Sequence, residues 1–422
     1  MISNPKRRTN ALSPKDEWFN YYAGYSSQFV ADVIGHLNLP AKSTILDPWN
    51  GSGTTTSKAF ELGINSIGLD INPVMVIVAR AKLLNIGIGK SLIPLSREIL
   101  ANASKTSNND FETDPLRTWL SRQSAAVVRS IANSIATILT SAENSHHLYT
   151  DKTLADISDL AAFYLVALFR TVRDLLLSFE SSNPTWIKTP TIRECTRPSR
   201  KRIYALFRAY VRNMAAAVAG DNKTAKADIC IGNSSNLPAH IRNIDAIISS
   251  PPYCTRIDYA VATKPELAVL GLPLDSQFHS LRQKLIGSPV ISGTLPRPLS
   301  SWGRACLKFA NHVKLHPSKG SREYYYKFYL QYFAGLQKSL ADFDRVLNPG
   351  GRCVLVLQDS YFKTERVDVA GYATEMAKHL NWQLQHRWDF HAKSLMSRIN
   401  AGSKAYGVNR IATESVLWFS VT

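Results

Sequence analysis

The segment Ser43-Thr44-Ile45-Leu46-Asp47-Pro48-Trp49-Asn50-Gly51-Ser52-Gly53-Thr54-Thr55-Thr56 runs from an apolar strand through a glycine turn into a helix. Lys42 to Asp47 reads as a short strand with a buried apolar centre, and Thr54 to Leu62 as a helix stopped by Gly63. Ser66-Ile67-Gly68-Leu69-Asp70 is a second short strand ending in an acid, and Pro73 fits the first turn of a helix over Val74 to Leu84. A strand, glycine loop, helix and strand in this order form a unit of a parallel α/β sheet.

The turn also carries chemistry. Two glycines, Gly51 and Gly53, let the backbone approach a nucleoside closely, and Asp70, closing the next strand, can accept hydrogen bonds from ribose hydroxyls. Thr56 stands where a dinucleotide fingerprint has its third glycine, which serves helix packing beside a pyrophosphate. Its absence favours a cofactor without phosphates, and S-adenosylmethionine is the natural candidate. The bland alternative is a tight glycine turn with no ligand.

A second motif lies about two hundred residues on, at Asp245-Ala246-Ile247-Ile248-Ser249-Ser250-Pro251-Pro252-Tyr253. A buried strand running into Ser-Pro-Pro-Tyr presents a hydroxyl, a carbonyl kept out of helix by the following proline, and an aromatic face. Those parts suit a planar base bearing an exocyclic amine. Tyr253 can stack on the ring, while Ser250 and the Pro251 carbonyl accept from the amino group. The alternative is a proline-stiffened strand end.

Around these motifs the chain has 422 residues, 50 Lys+Arg against 32 Asp+Glu and a formal net charge of +18. Domains usually run to about 100–200 residues, so this length suits one large domain with insertions or two ordinary ones. The longest strongly apolar run, Leu160 to Phe169, ends at Arg170, well short of the roughly 20 residues of a membrane span. With no apolar core behind the basic N-terminus, a soluble cytoplasmic protein is expected. Five scattered cysteines without CxxC or nearby histidine predict reduced thiols and no metal site. The charge excess attracts polyanions.

Residues 1–90 are read as the cofactor-binding half of an α/β domain, 91–226 as a helical insertion, and 227–422 as the remaining, target-base half. The insertion shows helical periodicity over Leu116 to Leu139, Leu154 to Phe179 and Ile203 to Val218. It carries Arg193, Arg197, Arg200, Lys201, Arg202, Arg208 and Arg212, with Glu194 alone opposing them. Residues 273–322, rich in Pro, Gly, Ser and basic residues, read as a long basic loop with little regular structure. Arg282, Lys284, Arg297, Arg304 and Lys308 there are a second candidate for target contact. Later elements are a helix from Tyr324 to Leu347, a strand over Arg352 to Gln358, and a last strand over Ser415 to Val421.

The pair DPWNGSGTTT…GLDINP (from Asp47) and SPPY (from Ser250) resembles the amino-methyltransferases that modify exocyclic nitrogens of DNA bases, cytosine N4 or adenine N6. The resemblance implies a Rossmann-like methyltransferase fold: a mostly parallel seven-stranded α/β sheet with a final antiparallel hairpin strand, here with the helical insertion. It implies S-adenosylmethionine held by Tyr22, Asp47, Pro48, Trp49, Asn50, Gly51, Ser52, Gly53, Thr54, Thr55, Asp70, Ile71 and Asn233, where Asn233 takes the place of the family's usual Asp. It implies a catalytic segment Ser250, Pro251, Pro252 and Tyr253, and double-stranded DNA as partner, with a cognate restriction or defence protein possible. A serine at the head of SPPY is associated in the family with cytosine N4. Adenine-N6 methylation, RNA guanine-N2 methylation and a catalytically silent DNA-binding subunit stay open as alternatives.

Overall fold

The structure is a computed structural model that describes residues 2–6, 13–20, 24–84, 86–105, 113–140, 157–181, 183, 186–218, 225–254, 257–291, 293–392 and 412–422. Seven strands form one sheet: β1 (Thr44–Asp47), β2 (Asn65–Asp70), β3 (Ala227–Ile231), β4 (Ile244–Ser249), β5 (Leu347–Gln358), β8 (Gln383–Ala392) and β9 (Ala412–Ser420). Their order is β3-β2-β1-β4-β5-β9-β8. The first five run parallel, β9 lies antiparallel to β5, and β8 antiparallel to β9. A separate hairpin of β6 (Ser360–Phe362) and β7 (Glu365–Val367) follows β5. This is the Rossmann-like methyltransferase sheet that the family resemblance implied.

Alternation along the strands sorts side chains to two faces. Ile45, Ala246, Ile248, Val354, Val356 and Val416 pack under α1 (Ser27–Leu37) through Phe29, Val30, Val33, Ile34 and Leu37. Leu46, Ile247, Cys353, Leu355 and Leu417 face the other way. Two late helices cover that face: a long one, Tyr326–Val346, and Val369–Lys378. Asn348-Pro349-Gly350-Gly351, between the expected helix and strand, lies within β5 as a bulge. Ile244 pairs with Leu347 and Ala246 with Arg352, and Gly350 absorbs the excursion at φ +74°.

The glycine loop leads into α2 (Thr54–Glu61), and α3 (Pro73–Lys82) follows β2. The insertion contributes α4 (Leu92–Lys105), α5 (Arg122–Leu139), α6 (Asp159–Leu175) and α7 (Arg200–Ala216). The apolar run noted in the sequence becomes the centre of α6, where every residue from Ala161 to Phe169 is fully buried. A helix apolar all round needs partners on all sides, and α3, α5 and α7 supply them. None of the described helices is long and apolar enough to cross a membrane.

The segment 273–322 departs from expectation. It holds α9 (Ser276–Lys284) and α10 (Arg304–Leu315), preceded by α8 (Lys264–Leu270). Most of its prolines and glycines fall within 287–303, whereas Cys306, Phe309, Ala310 and Val313 recur at helical spacing and are buried between the basic residues. Residues of α8 and α9 also join the insertion's core. Arg129, buried in α5, pairs with Asp114 (2.8 Å) and donates to the carbonyls of Ala268 and Val269.

Candidate active site

Strand order reverses between β1 and β4, and in open α/β sheets ligands bind at the carboxyl ends of strands at such a switch point. The glycine loop leaves β1 and the Ser-Pro-Pro-Tyr segment leaves β4, so the sheet brings together two motifs that the sequence separates.

Asp47 ties the two ends. Its Oδ1 accepts from the Ser249 hydroxyl (2.5 Å) and from Trp49 N (3.2 Å), and its Oδ2 accepts from the Tyr25 hydroxyl (3.1 Å). Burial pushes the Asp47 carboxyl up, against the pull of those hydrogen bonds. Burial and then the Asp47 charge hold the Tyr25 hydroxyl well above its ordinary range. Tyr25 also hydrogen-bonds Thr55, whose hydroxyl donates to Ile248 O (3.3 Å). Thr55 therefore sits behind the cavity wall, joining α2 to β4. Tyr22 lies outside the described residues, while its neighbours Phe19, Asn20, Gly24 and Tyr25 line the cavity.

The two loop glycines divide their work. Gly51, at φ +48°, lines the cavity and its N–H donates to Asp70 Oδ2 (2.9 Å). Gly53 does not line it: a Cβ there would stand 2.7 Å from the Ala79 Cβ. It stands where α2 packs closely on α3. Thr56, at the missing third glycine, donates to Asn50 Oδ1 (3.0 Å). The Asn50 amide in turn lies over Gly68, where a Cβ would come within 2.5 Å of Asn50 Nδ2. Asp70 Oδ1 accepts from Asn72 N (2.8 Å). Burial, reinforced by the Asp47 charge and opposed by the N–H donors, raises its pKa to about 6.

At the end of β3, Gly232 admits the Leu69 side chain, which would lie 2.3 Å from an added Cβ. Asn233 lines the cavity, but its Oδ1 accepts from Ser235 N (3.0 Å) and the Ser235 hydroxyl (2.9 Å), so the group it can turn to a ligand is the NH2.

On the β4 side, the Ser250 hydroxyl donates to Val356 O (2.8 Å). With its one hydrogen spent on the neighbouring strand, the Ser250 oxygen can only accept from a ligand. Two tyrosines absent from the sequence reading fix the segment: Tyr332 donates to Pro252 O (2.9 Å), and Tyr253 N donates to the Tyr259 hydroxyl (3.1 Å). A Cβ at Gly287 (φ +77°) would stand 3.0 Å from Tyr253 O, so this neighbour too must be small. No short-range signal marks these three, because each reaches the motif through the fold.

One cavity of about 520 Å³ takes in Pro48, Trp49, Asn50, Gly51, Ser52, Thr54, Asp70, Ile71, Asn233, Ser250, Pro251, Pro252 and Tyr253. That volume lies within the roughly 300–1,000 Å³ of small-molecule sites. The insertion closes its far wall with Arg170, Arg173, Asp174, Leu177, Trp186 and Tyr210, and Lys284 comes from α9. Arg173 pairs with buried Glu266 (2.5 Å). Arg282, a candidate target contact by sequence, instead pairs with Asp258 (2.6 Å). Among the described residues no cluster of three His, Cys, Asp or Glu could hold a metal.

No family model matches the chain. It is similar to the Type II methyltransferase M.BsoBI of Geobacillus stearothermophilus, 28% identical over 299 residues, covering 65% of this chain and 56% of that protein. It is also similar to the Type II methyltransferase M.MvaI of Kocuria varians, 22% identical over 411 residues, 89% of this chain and 82% of that protein. A shorter match, 36% identical over 69 residues, links 16% of this chain to 13% of the Type II methyltransferase M.MjaII of Methanocaldococcus jannaschii. The chain thus spans little more than half of M.BsoBI. The resemblance to DNA methyltransferases read from the two motifs is borne out at this level.

Proposed function

We propose that this chain, similar as it is to Type II methyltransferases, transfers a methyl group from S-adenosylmethionine to an exocyclic amino nitrogen in double-stranded DNA. The base we assign is cytosine, methylated at N4, and the setting a restriction-modification system. The observation that carries the reading is the Ser250 hydroxyl: half-buried and lining the cavity, it donates to Val356 O and keeps its lone pairs for a ligand N–H. An amino group is what such an acceptor, next to a proline-freed carbonyl and a tyrosine ring, is suited to hold. The base assignment rests on the family association of a leading serine with cytosine.

The residues present fit the cofactor. Two carboxylates, the buried Asp47 and the half-buried Asp70, stand at the glycine turn. The acid that closes the second strand suits a ribose diol. Asp70 keeps lone pairs for ribose hydroxyls beyond its two backbone donors, and Trp49, Asn50 and Ile71 wall the same space. S-adenosylmethionine, when bound, supplies an electrophilic methyl on a sulfonium.

The chain's own part is orientation. An exocyclic amine is a poor nucleophile because its lone pair is delocalised into the ring. Ser250 Oγ and the Pro251 carbonyl, accepting its two hydrogens, let the nitrogen pyramidalise and direct its lone pair. Tyr253 stacks on the ring, and Tyr332 and Tyr259 hold the segment in place. No cysteine is needed: Cys254 is buried and points to the core with Tyr332. A target inside a duplex must be flipped out to reach the cavity, at a cost of a few kcal/mol.

Expression in a host without endogenous DNA methylation, followed by nucleoside analysis of its DNA, tests the reading. N4-methylcytosine is expected. N6-methyladenine would move the assignment to adenine, and methyl groups in RNA alone would favour guanine-N2 chemistry.

A further inference from the structure

We infer that Trp186 is a stacking contact for a nucleobase of the bound DNA at the mouth of the methyl-transfer cavity, an inference that rests on the DNA substrate proposed above. Trp186 lines the cavity together with Ser250 to Tyr253, yet its side chain is 55% exposed. Among the described residues it is the one tryptophan or phenylalanine left exposed. Leu177, 57% exposed, lines the same mouth.

The backbone beneath it is fixed. Lys188 N donates to Phe179 O (2.9 Å), Glu180 bridges to Ile187, and Trp186 N donates to Asn183 O (3.0 Å). The Ser181 hydroxyl lies 3.1 Å from Trp186 O, and the buried Trp119 donates through Nε1 to Lys188 O (3.0 Å). Phe179 and Ile187 are buried on either side. These bonds anchor the chain on either side of Trp186 and leave it more than half exposed.

The surroundings select the ligand. From Lys188 to Arg202 the chain places Lys188, Arg193, Arg197, Arg200, Lys201 and Arg202 at the surface against the single acid Glu194. Arg170 and Lys284 share the cavity lining with Trp186, and an exposed indole combined with cations able to meet phosphates is the arrangement that takes bases by their faces, without regard to sequence.

The test compares Trp186→Ala and Trp186→Phe in the full chain, measuring affinity for a target-containing duplex over a salt series and, separately, for S-adenosylmethionine. Loss of one base stack should weaken DNA binding about ten- to a hundredfold in Trp186→Ala. Trp186→Phe should retain most of the affinity. The salt slope should match wild type, since no phosphate contact is removed, and cofactor affinity should not change. Full DNA affinity in Trp186→Ala, equal losses in the two variants, or a loss confined to the cofactor would each overturn this inference alone. A wild-type chain without DNA affinity would overturn the functional reading and this inference with it.

Discussion

At the scale of single residues, the site depends on which hydrogens are already committed. Ser250 gives its proton to Val356 O, so it meets a ligand as an acceptor, and Tyr253 supplies a ring whose backbone is pinned on both sides. Tyr253→Ala should reduce methyl transfer on the order of 10²-fold while leaving cofactor affinity intact. Equilibrium binding beside single-turnover transfer would separate the two effects. Asp70 makes a pH prediction. With a pKa near 6, it becomes predominantly protonated below about pH 6 and loses the charge that attracts ribose hydroxyls. Cofactor affinity should therefore fall as pH drops through about 6. Folding responds in the opposite sense. Because the folded pKa lies above the ordinary 3.8, the folded chain binds this proton more tightly. The associated stability is present below 3.8 and is lost as pH rises through about 6. Desolvation raises the Glu414 carboxyl to about 7, so it titrates in a neighbouring pH range. The Asp70→Asn variant isolates the contribution of Asp70 to folding: its Tm should vary less with pH than wild type between about 4 and 6.

At the scale of elements, the positions that the sequence left silent are those where two elements meet. Gly68 is one. A Cβ there would strike the Asn50 amide, so Gly68→Ala should overpack the β2 to glycine-loop contact and cost about 1–3 kcal/mol, read from denaturant midpoints, with weaker cofactor binding. Tyr332→Phe is milder: losing the bond to Pro252 O should cost about 1 kcal/mol and lower transfer more than cofactor affinity. The strand-loop-helix-strand unit from β1 through α3 was legible because glycine, proline and apolar periodicity punctuate it locally. The Ser-Pro-Pro-Tyr segment was legible for the same reason. The close packing of Gly53 on Ala79 was not legible, because Ala79 lies on another helix. Helix α10 was hidden because prolines and glycines earlier in the same segment suggested a loop, although Cys306, Phe309, Ala310 and Val313 held a helical period. Ser249, Tyr259 and Tyr332 carry no signal of their own, since each acts on a motif through tertiary contact.

At the scale of the whole molecule, the cavity is walled on one side by the sheet's switch point and on the other by the insertion, whose outer surface carries the basic residues of α7. Arg200, Lys201, Arg202, Arg208 and Arg212 are exposed, while Ile203, Phe207, Val211 and Met214 hold the other face of the helix in the core. Charge placed in this way predicts DNA binding that weakens steeply with salt. Replacing Arg200, Lys201 and Arg202 by alanine should lower the slope of log affinity against log salt by up to about three, without altering cofactor binding. An unchanged slope would return those charges to an ordinary solvated surface. The assembly of base pocket, cofactor turn and basic flank stands or falls on chemistry. The most direct measurement is transfer of labelled methyl from S-adenosylmethionine to unmethylated duplex DNA by the purified chain, with the products separated as nucleosides. Label in N4-methylcytosine, lowered on the order of 10²-fold in Tyr253→Ala, is the expected result. No label in DNA from a protein that binds the cofactor would contradict it.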